Sequence, residues 1–352
     1  MKKTKVLFVL PTLTAGGAER VMSFVAQNIN NAKFESTLLV TGYKKDAAYA
    51  IKGIRVKFLE KSRVFTAVPS IFFFLLKNKP DYVLSSIGHL NTVMGLMAPV
   101  FKKTTFIIRE ASVVSQMSKI HNQSEHKSMY STLALKAYKQ IDMVVCQSKD
   151  MAKDFIDMFN IPEHKITIIN NPITQSIALK NSTKNNDGVV KFITVGRLSK
   201  EKGQLRVLKL LAKLNFNFHY TIIGDGPYKE KINDAIERYN LRDSITQIPF
   251  TKDVSKYISE SDLFLQGSYV EGFPNTVLES CFVGTPVLAF NVPGGTKEIL
   301  QHQVNGYLVE NEEEYLHYLN NRLSLKPKDI RASVATKFNE ETIIKQYEAL
   351  FT

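Results

Sequence analysis

The chain has 352 residues, a length that suits two domains of ordinary size. Apolar residues make up 44% and charged residues 22%, a balance that excludes both a disordered chain and a bundle of membrane spans. The formal charge of +13 is uneven: residues 1–185 hold 26 Lys+Arg against 12 Asp+Glu, a net +14, and the remainder hold 20 against 21. That asymmetry points the first half at an anionic partner, whether a membrane surface, a phosphorylated acceptor or nucleic acid, unless it only keeps a lysine-rich surface soluble.

The opening MKKTKVLFVLP places basic residues before an apolar run, as a signal peptide does, but the run stops at Pro11 with no small-residue cleavage site. It reads as a buried first strand, and the protein is placed in the cytoplasm. Strand-like runs follow at Lys5–Leu10, Ser36–Thr41, Val56–Leu59, Tyr82–Ser85, Thr105–Arg109 and Met143–Gln147, with helical stretches at Ala18–Ile29, Asn91–Val100 and Lys127–Lys139. The apolar stretch Val64–Leu76 is shorter than the roughly 20 residues a span needs and contains Pro69. Flanked by Lys61, Arg63, Lys77 and Lys79, it reads either as a helix resting on a bilayer interface or as a core helix with basic ends.

The polar segment Ile177–Gly188 reads as a linker. Alternation then resumes, with strands expected at Phe192–Val195, Tyr220–Ile223, Ile245–Ile248, Leu263–Leu265 and Val287–Phe290. Helices are expected at Gln204–Lys213, Lys229–Tyr239, Asp253–Ser259, Thr276–Phe282 and Thr296–Leu300. The pattern predicts an α/β protein of two doubly wound, Rossmann-like domains, residues 1–180 and 186–335, facing each other across a cleft. A final segment, 336–352, containing the amphipathic stretch Glu340–Phe351, is expected to pack back on the first domain. Cys146 and Cys281 sit far apart in apolar surroundings and read as buried side chains, not as a disulfide or metal ligands.

Four segments carry chemistry. After the first strand, Gly16 and Gly17 precede a helix, where free amides and the helix dipole favour phosphate or a sugar oxygen. Gly196-Arg197-Leu198-Ser199-Lys200-Glu201-Lys202-Gly203 follows a strand, and its guanidinium and ammonium suit the two charges of a diphosphate. Gly224-Asp225-Gly226-Pro227 lacks the third glycine of a dinucleotide fingerprint and reads as a tight turn lining the site. In Ser268–Glu279, amides near Phe273, Pro274, Asn275 and Thr276 meet phosphate or sugar oxygens, while Glu271 and Glu279 accept bonds from hydroxyls. Glu279 is expected in the first turn of its helix, where the alternative is a favourable N-terminal charge. Cations and amides between two carboxylates match a nucleotide sugar, which has hydroxyls at both ends and a diphosphate between.

These segments together resemble the retaining GT-B glycosyltransferases of family 4, the matching features being Gly16-Gly17, Gly196-Arg197-Leu198, Lys202-Gly203, Gly224–Pro227, the Glu271-to-Glu279 element, Gly284-Thr285-Pro286-Val287 and Pro293-Gly294-Gly295. The resemblance implies that Arg197 and Lys202 bind the donor diphosphate and stabilise the leaving group, that Glu279 holds the ribose and that Glu271 meets the donor sugar. It implies retention by same-face displacement, with no covalent nucleophile. Where many members carry a His after a first-domain strand, this chain reads Arg109-Glu110, so Glu110 (or Arg109) is the expected first-domain catalytic contact, with His89 a further acceptor-side candidate. No Asp-x-Asp triplet occurs, and no metal or other cofactor is expected.

The expected donor is a nucleotide-diphosphate hexose or N-acetylhexosamine, UDP by default. The expected acceptor is lipid-linked or a growing glycan of the cell surface, reached by peripheral contact of the basic first domain with the inner face of an anionic membrane. Nucleic acid is not expected as a partner. Two alternatives stand beside this reading, a sugar-nucleotide epimerase on the same fold and a non-catalytic membrane- or polyanion-binding protein.

Overall fold

The computed structural model describes residues 2–121, 127–174, 177–181, 188–322 and 324–352. The strands are β1 Thr4–Leu10, β2 Phe34–Val40, β3 Arg55–Phe58, β4 Tyr82–Ser86, β5 Thr105–Arg109, β6 Met143–Cys146, β7 Ile166–Ile168, β8 Val190–Val195, β9 Phe218–Ile223, β10 Ile245–Ile248, β11 Leu263–Gln266, β12 Val287–Phe290 and β13 Gly306–Val309. The helices are α1 Gly17–Asn28, α2 Val64–Asn78, α3 Gly88–Met97, α4 Val114–Ile120, α5 Lys127–Lys139, α6 Lys149–Phe159, α7 Gln204–Leu211, α8 Lys229–Arg238, α9 Val254–Ser259, α10 Asn275–Val283, α11 Thr296–Ile299, α12 Glu312–Asn320, α13 Pro327–Ala335 and α14 Glu340–Glu348.

The chain divides into two units, residues 1–174 with 340–352, and residues 175–339. The first therefore ends at Thr174, not at 180, and the returning segment begins at Glu340, not at 336. Of the linker expected at 177–188, residues 182–187 lie outside the described residues. Its beginning is held within the second unit, where the Lys180 amide donates to the Val283 carbonyl at 2.9 Å.

Each unit is built on an all-parallel sheet, ordered β3-β2-β1-β4-β5-β6-β7 in the first and β10-β9-β8-β11-β12-β13 in the second. Central strands such as β1 (TKVLFVL) and β11 (LFLQ) are buried along most of their length, because helices cover both faces. In both sheets the strand order reverses once, between β1 and β4 and between β8 and β11. The crevice above such a reversal, at the carboxyl ends of the strands, is where a doubly wound sheet receives ligand.

Residues 340–352 complete the first core. Ile343, Tyr347, Leu350 and Phe351 join the cluster under β1 and β2, and the Phe351 ring meets Phe8, Phe34 and Tyr82 at centroid distances of 6.1, 5.8 and 5.5 Å. Arg109, 1% exposed, binds this segment: its Nε donates to the Tyr347 hydroxyl at 3.2 Å, and its Nη2 to Asn171 Oδ1 at 2.6 Å. A guanidinium so engaged is a structural tie and not a ligand contact.

α2 satisfies neither expectation for 64–76 alone. Val64, Ala67, Ile71 and Leu75 face the domain at helical spacing. The opposite side leaves Phe65 84% and Phe73 67% exposed, with Leu76, and Leu96 and Val100 at the nearby α3 are exposed as well. Lys61, Arg63, Lys77, Lys79, Lys102 and Lys103 are exposed at the ends of these segments. Among the described residues, no helix is long and apolar enough to cross a membrane.

Candidate functional site

In the second unit the strand reversal brings together two loops that are distant in sequence. After β8, residues 196–203 lead into α7; after β11, residues 267–274 lead into α10. An ion pair joins them. Lys202 Nζ lies 2.8 Å from both carboxylate oxygens of Glu271. Glu271 is 6% exposed and accepts further bonds at Oε1 from Ser268 Oγ at 2.6 Å and Gln266 Nε2 at 3.2 Å. These donors offset the cost of burying the Glu271 carboxylate. Lys202, by contrast, keeps 31% of its side chain open to solvent, so it can answer to a second anion.

Arg197 lies on the same loop, exposed and without an ion-pair partner among the described residues. Its backbone is held: Gln204 Nε2 donates to the Arg197 carbonyl at 3.0 Å, and the Leu198 amide donates to Asp225 O at 3.0 Å. The Gly224–Pro227 turn thus backs the arginine loop, and Gly226 packs directly against the Leu198 backbone. Below Glu271, the Pro293-Gly294-Gly295 loop acts as a rail: the Glu271 amide donates to Pro293 O at 3.0 Å and the Gly295 amide to Gly272 O at 2.8 Å. Gly294, at φ +125°, lies so close to the Glu271 carbonyl that a Cβ would collide with it.

α10 begins at Asn275, so Glu279 falls in its second turn and not in its first; a charge meant for the helix dipole would sit a turn earlier. Glu279 is 8% exposed, a costly place for a carboxylate that serves only solubility. Phe273 is buried with its ring 5.5 Å from that of Phe338, Pro274 caps the helix, and Asn275 and Thr276 form its half-exposed first residues.

In the first unit, the Gly16-Gly17 turn sits at the carboxyl end of β1, but a carboxylate of the chain already occupies it. Glu19, 8% exposed, accepts the Thr12 hydroxyl at 2.9 Å and lies against Gly16 where any side chain would stand. An internal anion at the first turn of α1 reduces the appeal of that turn to phosphate and leaves hydroxyls as its better ligands. At the reversal partner β4, Ile87 has φ +83°, a strained value for a β-branched residue, and hands the chain to Gly88 and the exposed His89 at the start of α3.

Glu110 does not reach this surface. It is 4% exposed, and its Oε1 accepts Asn91 Nδ2 at 2.9 Å and the Tyr138 hydroxyl at 3.4 Å. Burial pushes its carboxyl above the usual carboxylate range, against the lowering effect of these donors. Its expected direct catalytic contact is therefore replaced by a buried position inside the first unit, in a network with Asn91, Tyr138 and Gln147. Ser268 and Glu19 lie in segments that the sequence marks, without a signal of their own, and Gln266, the last residue of β11, lies outside them.

Comparison with known proteins agrees with this architecture. Residues 15–176 match the profile of Glycosyltransferase Family 4, and residues 175–337 that of Glycosyl transferases group 1. The chain is 26% identical, over 93% of its length and 91% of the relative's, to N-acetylgalactosamine-N,N'-diacetylbacillosaminyl-diphospho-undecaprenol 4-alpha-N-acetylgalactosaminyltransferase of Campylobacter jejuni. Its fold matches that of Alr3699/HepE of Anabaena in complex with UDP and glucose, with a TM-score of 0.81 at 18% identity over 99% of both chains. It also matches the lipopolysaccharide outer core galactosyltransferase WaaB, with a TM-score of 0.75 at 18% identity over 98% of both. The protein is thus a glycosyltransferase, and it belongs to family 4 of the GT-B glycosyltransferases.

Proposed function

We propose that the protein transfers a hexose or N-acetylhexosamine from a UDP-sugar, with retention, onto a lipid-linked or glycan acceptor in cell-surface polysaccharide assembly. The observation that carries this reading is the Lys202–Glu271 pair across the β8/β11 reversal, with Arg197 exposed on the Lys202 loop and Glu279 buried on α10, which follows the Glu271 loop. Arg197 and the solvent-facing side of Lys202 take the diphosphate and steady the charge that develops on it as the sugar leaves. Glu271 meets sugar hydroxyls and Glu279 the ribose. Gly16 and Gly17 offer their turn to hydroxyls rather than to phosphate. UDP is bound in the Anabaena structure that shares the fold, and the Campylobacter relative is named for a diphospho-undecaprenol acceptor.

Retention by same-face displacement fits the state of Glu271. A carboxylate gripped by an ammonium and two further donors is a poor nucleophile, so a covalent glycosyl intermediate on it is disfavoured. With two cations beside the diphosphate position, the reaction needs no metal, and a chelator leaves turnover unchanged. The acceptor is reached at the cytoplasmic face of the membrane, where the exposed Phe65 and Phe73 of α2 enter the interface and the surrounding lysines meet anionic headgroups.

The test is a panel of UDP-glucose, UDP-galactose, their N-acetyl forms and GDP-mannose, read by thermal shift and nucleotide release, with Arg197→Ala and Glu279→Ala alongside. Stabilisation and slow UDP release from one UDP-sugar, lost in both variants, is the expected result. No response to any nucleotide sugar would sink the proposal.

A further inference from the structure

Lys202 is not the only residue of its turn that grips the Glu271 loop. Four positions on, Arg206 of α7 reaches the same loop at its other end, where its Nη2 donates to the Ser268 carbonyl at 2.6 Å. The guanidinium lies between two aromatic rings, its Cζ 3.3 Å from the Phe290 ring centroid and 4.3 Å from that of Tyr269. Phe290 is itself stacked on Tyr315 at 4.5 Å and 18°, so the lower ring of the sandwich is fixed. The Tyr269 amide donates to Glu201 O at 2.8 Å, which ties the upper ring's backbone to the Lys202 loop. Arg206 Nε is buried without a hydrogen-bond partner, so the hold of the guanidinium on this loop rests on Nη2 and the two rings.

Ser268, whose carbonyl Arg206 holds, donates its Oγ to Glu271 Oε1 at 2.6 Å. The sequence of contacts is continuous: ring sandwich, Arg206, Ser268, Glu271, Lys202. We propose that Arg206 is a positioning residue for the transfer step, fixing Ser268 so that the Glu271 carboxylate keeps the orientation the donor sugar meets. Resting on the donor reading above, the inference adds a residue outside the motif segments. It separates two functions of the site. The nucleotide is held by Arg197, Glu279 and the solvent-facing side of Lys202, whereas the sugar end depends on the Ser268–Glu271 loop that Arg206 clamps.

The experiment measures UDP affinity by calorimetry and sugar release from a panel of UDP-sugars, on Arg206→Met, Arg206→Lys, Ser268→Ala and the Arg206→Met/Ser268→Ala double variant. Methionine fills the space between the rings but donates nothing to Ser268. We expect Arg206→Met to lower kcat by roughly tenfold while UDP affinity changes by less than about twofold. Lysine restores a donor to the Ser268 carbonyl and recovers part of the loss. Ser268→Ala breaks the next link, the Oγ bond to Glu271, and so reproduces the loss without disturbing the ring sandwich; the double variant is no worse than either single one, because the two bonds are successive links of one chain of contacts that ends on Glu271. Equal losses of UDP affinity and kcat, an unchanged kcat in Arg206→Met, or additive effects in the double variant would overturn the proposal. Failure of the wild type to bind UDP, or any other nucleoside diphosphate, would overturn the donor reading itself and the proposal with it.

Discussion

Removing either partner of the Lys202–Glu271 pair should have unequal consequences, because the two ends of the pair sit in different solvents. Lys202→Met strands a carboxylate that is 6% exposed, whereas Glu271→Gln strands an ammonium that is 31% exposed and can hydrate. Breaking a fully buried pair costs about 3–5 kcal/mol. Here Ser268 and Gln266 continue to donate to Glu271, so the cost of Lys202→Met falls to about 2 kcal/mol. In a domain of this size that lowers the melting temperature by about 4–8 °C. Glu271→Gln costs about 1 kcal/mol or less, since its cation finds water. Nucleotide binding reverses the order. With Glu271 neutral, Lys202 has no internal anion to leave, and UDP binds about fivefold more tightly, about 1 kcal/mol. Lys202→Met weakens UDP instead, and both variants lose transfer. Calorimetric melting without ligand and UDP titration at neutral pH measure both quantities. Equal melting shifts in the two variants, or weaker UDP binding by Glu271→Gln, would refute the assignment of Lys202 as a cation shared between carboxylate and diphosphate.

Three further outcomes follow from other parts of the molecule. Burial raises the Glu110 pKa, so the folded state keeps that proton where the unfolded chain has lost it; the stability of the wild type relative to Glu110→Gln should fall as pH rises from the ordinary carboxyl range through the folded pKa, then level off, and urea titrations in which the difference grows with pH would contradict this. Gly294→Ala places a methyl group against the Glu271 carbonyl at a backbone angle that disfavours it; we expect a loss of about 2 kcal/mol or more in urea unfolding and loss of transfer, and a fully active, equally stable variant would show that the rail beneath Glu271 is not needed. Phe65→Asp with Phe73→Asp should weaken sedimentation with phosphatidylglycerol vesicles by about tenfold or more while leaving the melting temperature unchanged, because both rings are already exposed; undiminished binding would remove α2 from the membrane contact.

Much of the fold could be read from hydrophobic period alone. β5, β10 and β12 fall where their apolar runs lie, and the other expected strands differ by one or two residues at one end or both. The strands that escaped are those with weak periods. β7 is three residues at a sheet edge, none of them buried, and β13 opens on a glycine. α4, α6, α12 and α13 also lie outside the expected set, although two of them carry a start signal in the sequence, the side-chain caps Ser148 and Asn311, and α6 repeats Met151, Phe155 and Phe159 at helical spacing. At the site, the motif loops were legible because glycines, cations and carboxylates cluster at strand-to-helix turns. Their pairing was not. Lys202 and Glu271 are 69 positions apart and meet only because β8 lies beside β11, an adjacency that chain order does not disclose. Glu110 shows the converse limit, since a carboxylate after a strand can line a crevice or sit beneath it, and only the packing of Asn91 and Tyr138 decides.

The return of residues 340–352 to the first unit has a consequence for how the protein is made. On the ribosome, everything that builds the second unit emerges before Tyr347, Leu350 and Phe351 do, and these three fill the core beneath β1. The second unit can therefore close while the first, although synthesised earlier, still has an open seam along β1, β2 and Tyr82. The usual N-to-C order of domain completion is inverted. A stop codon before residue 347 would spare the sheet that carries Arg197 and Glu279 and leave the first unit with exposed apolar surface, marking the shortened chain for aggregation or proteolysis rather than for partial activity.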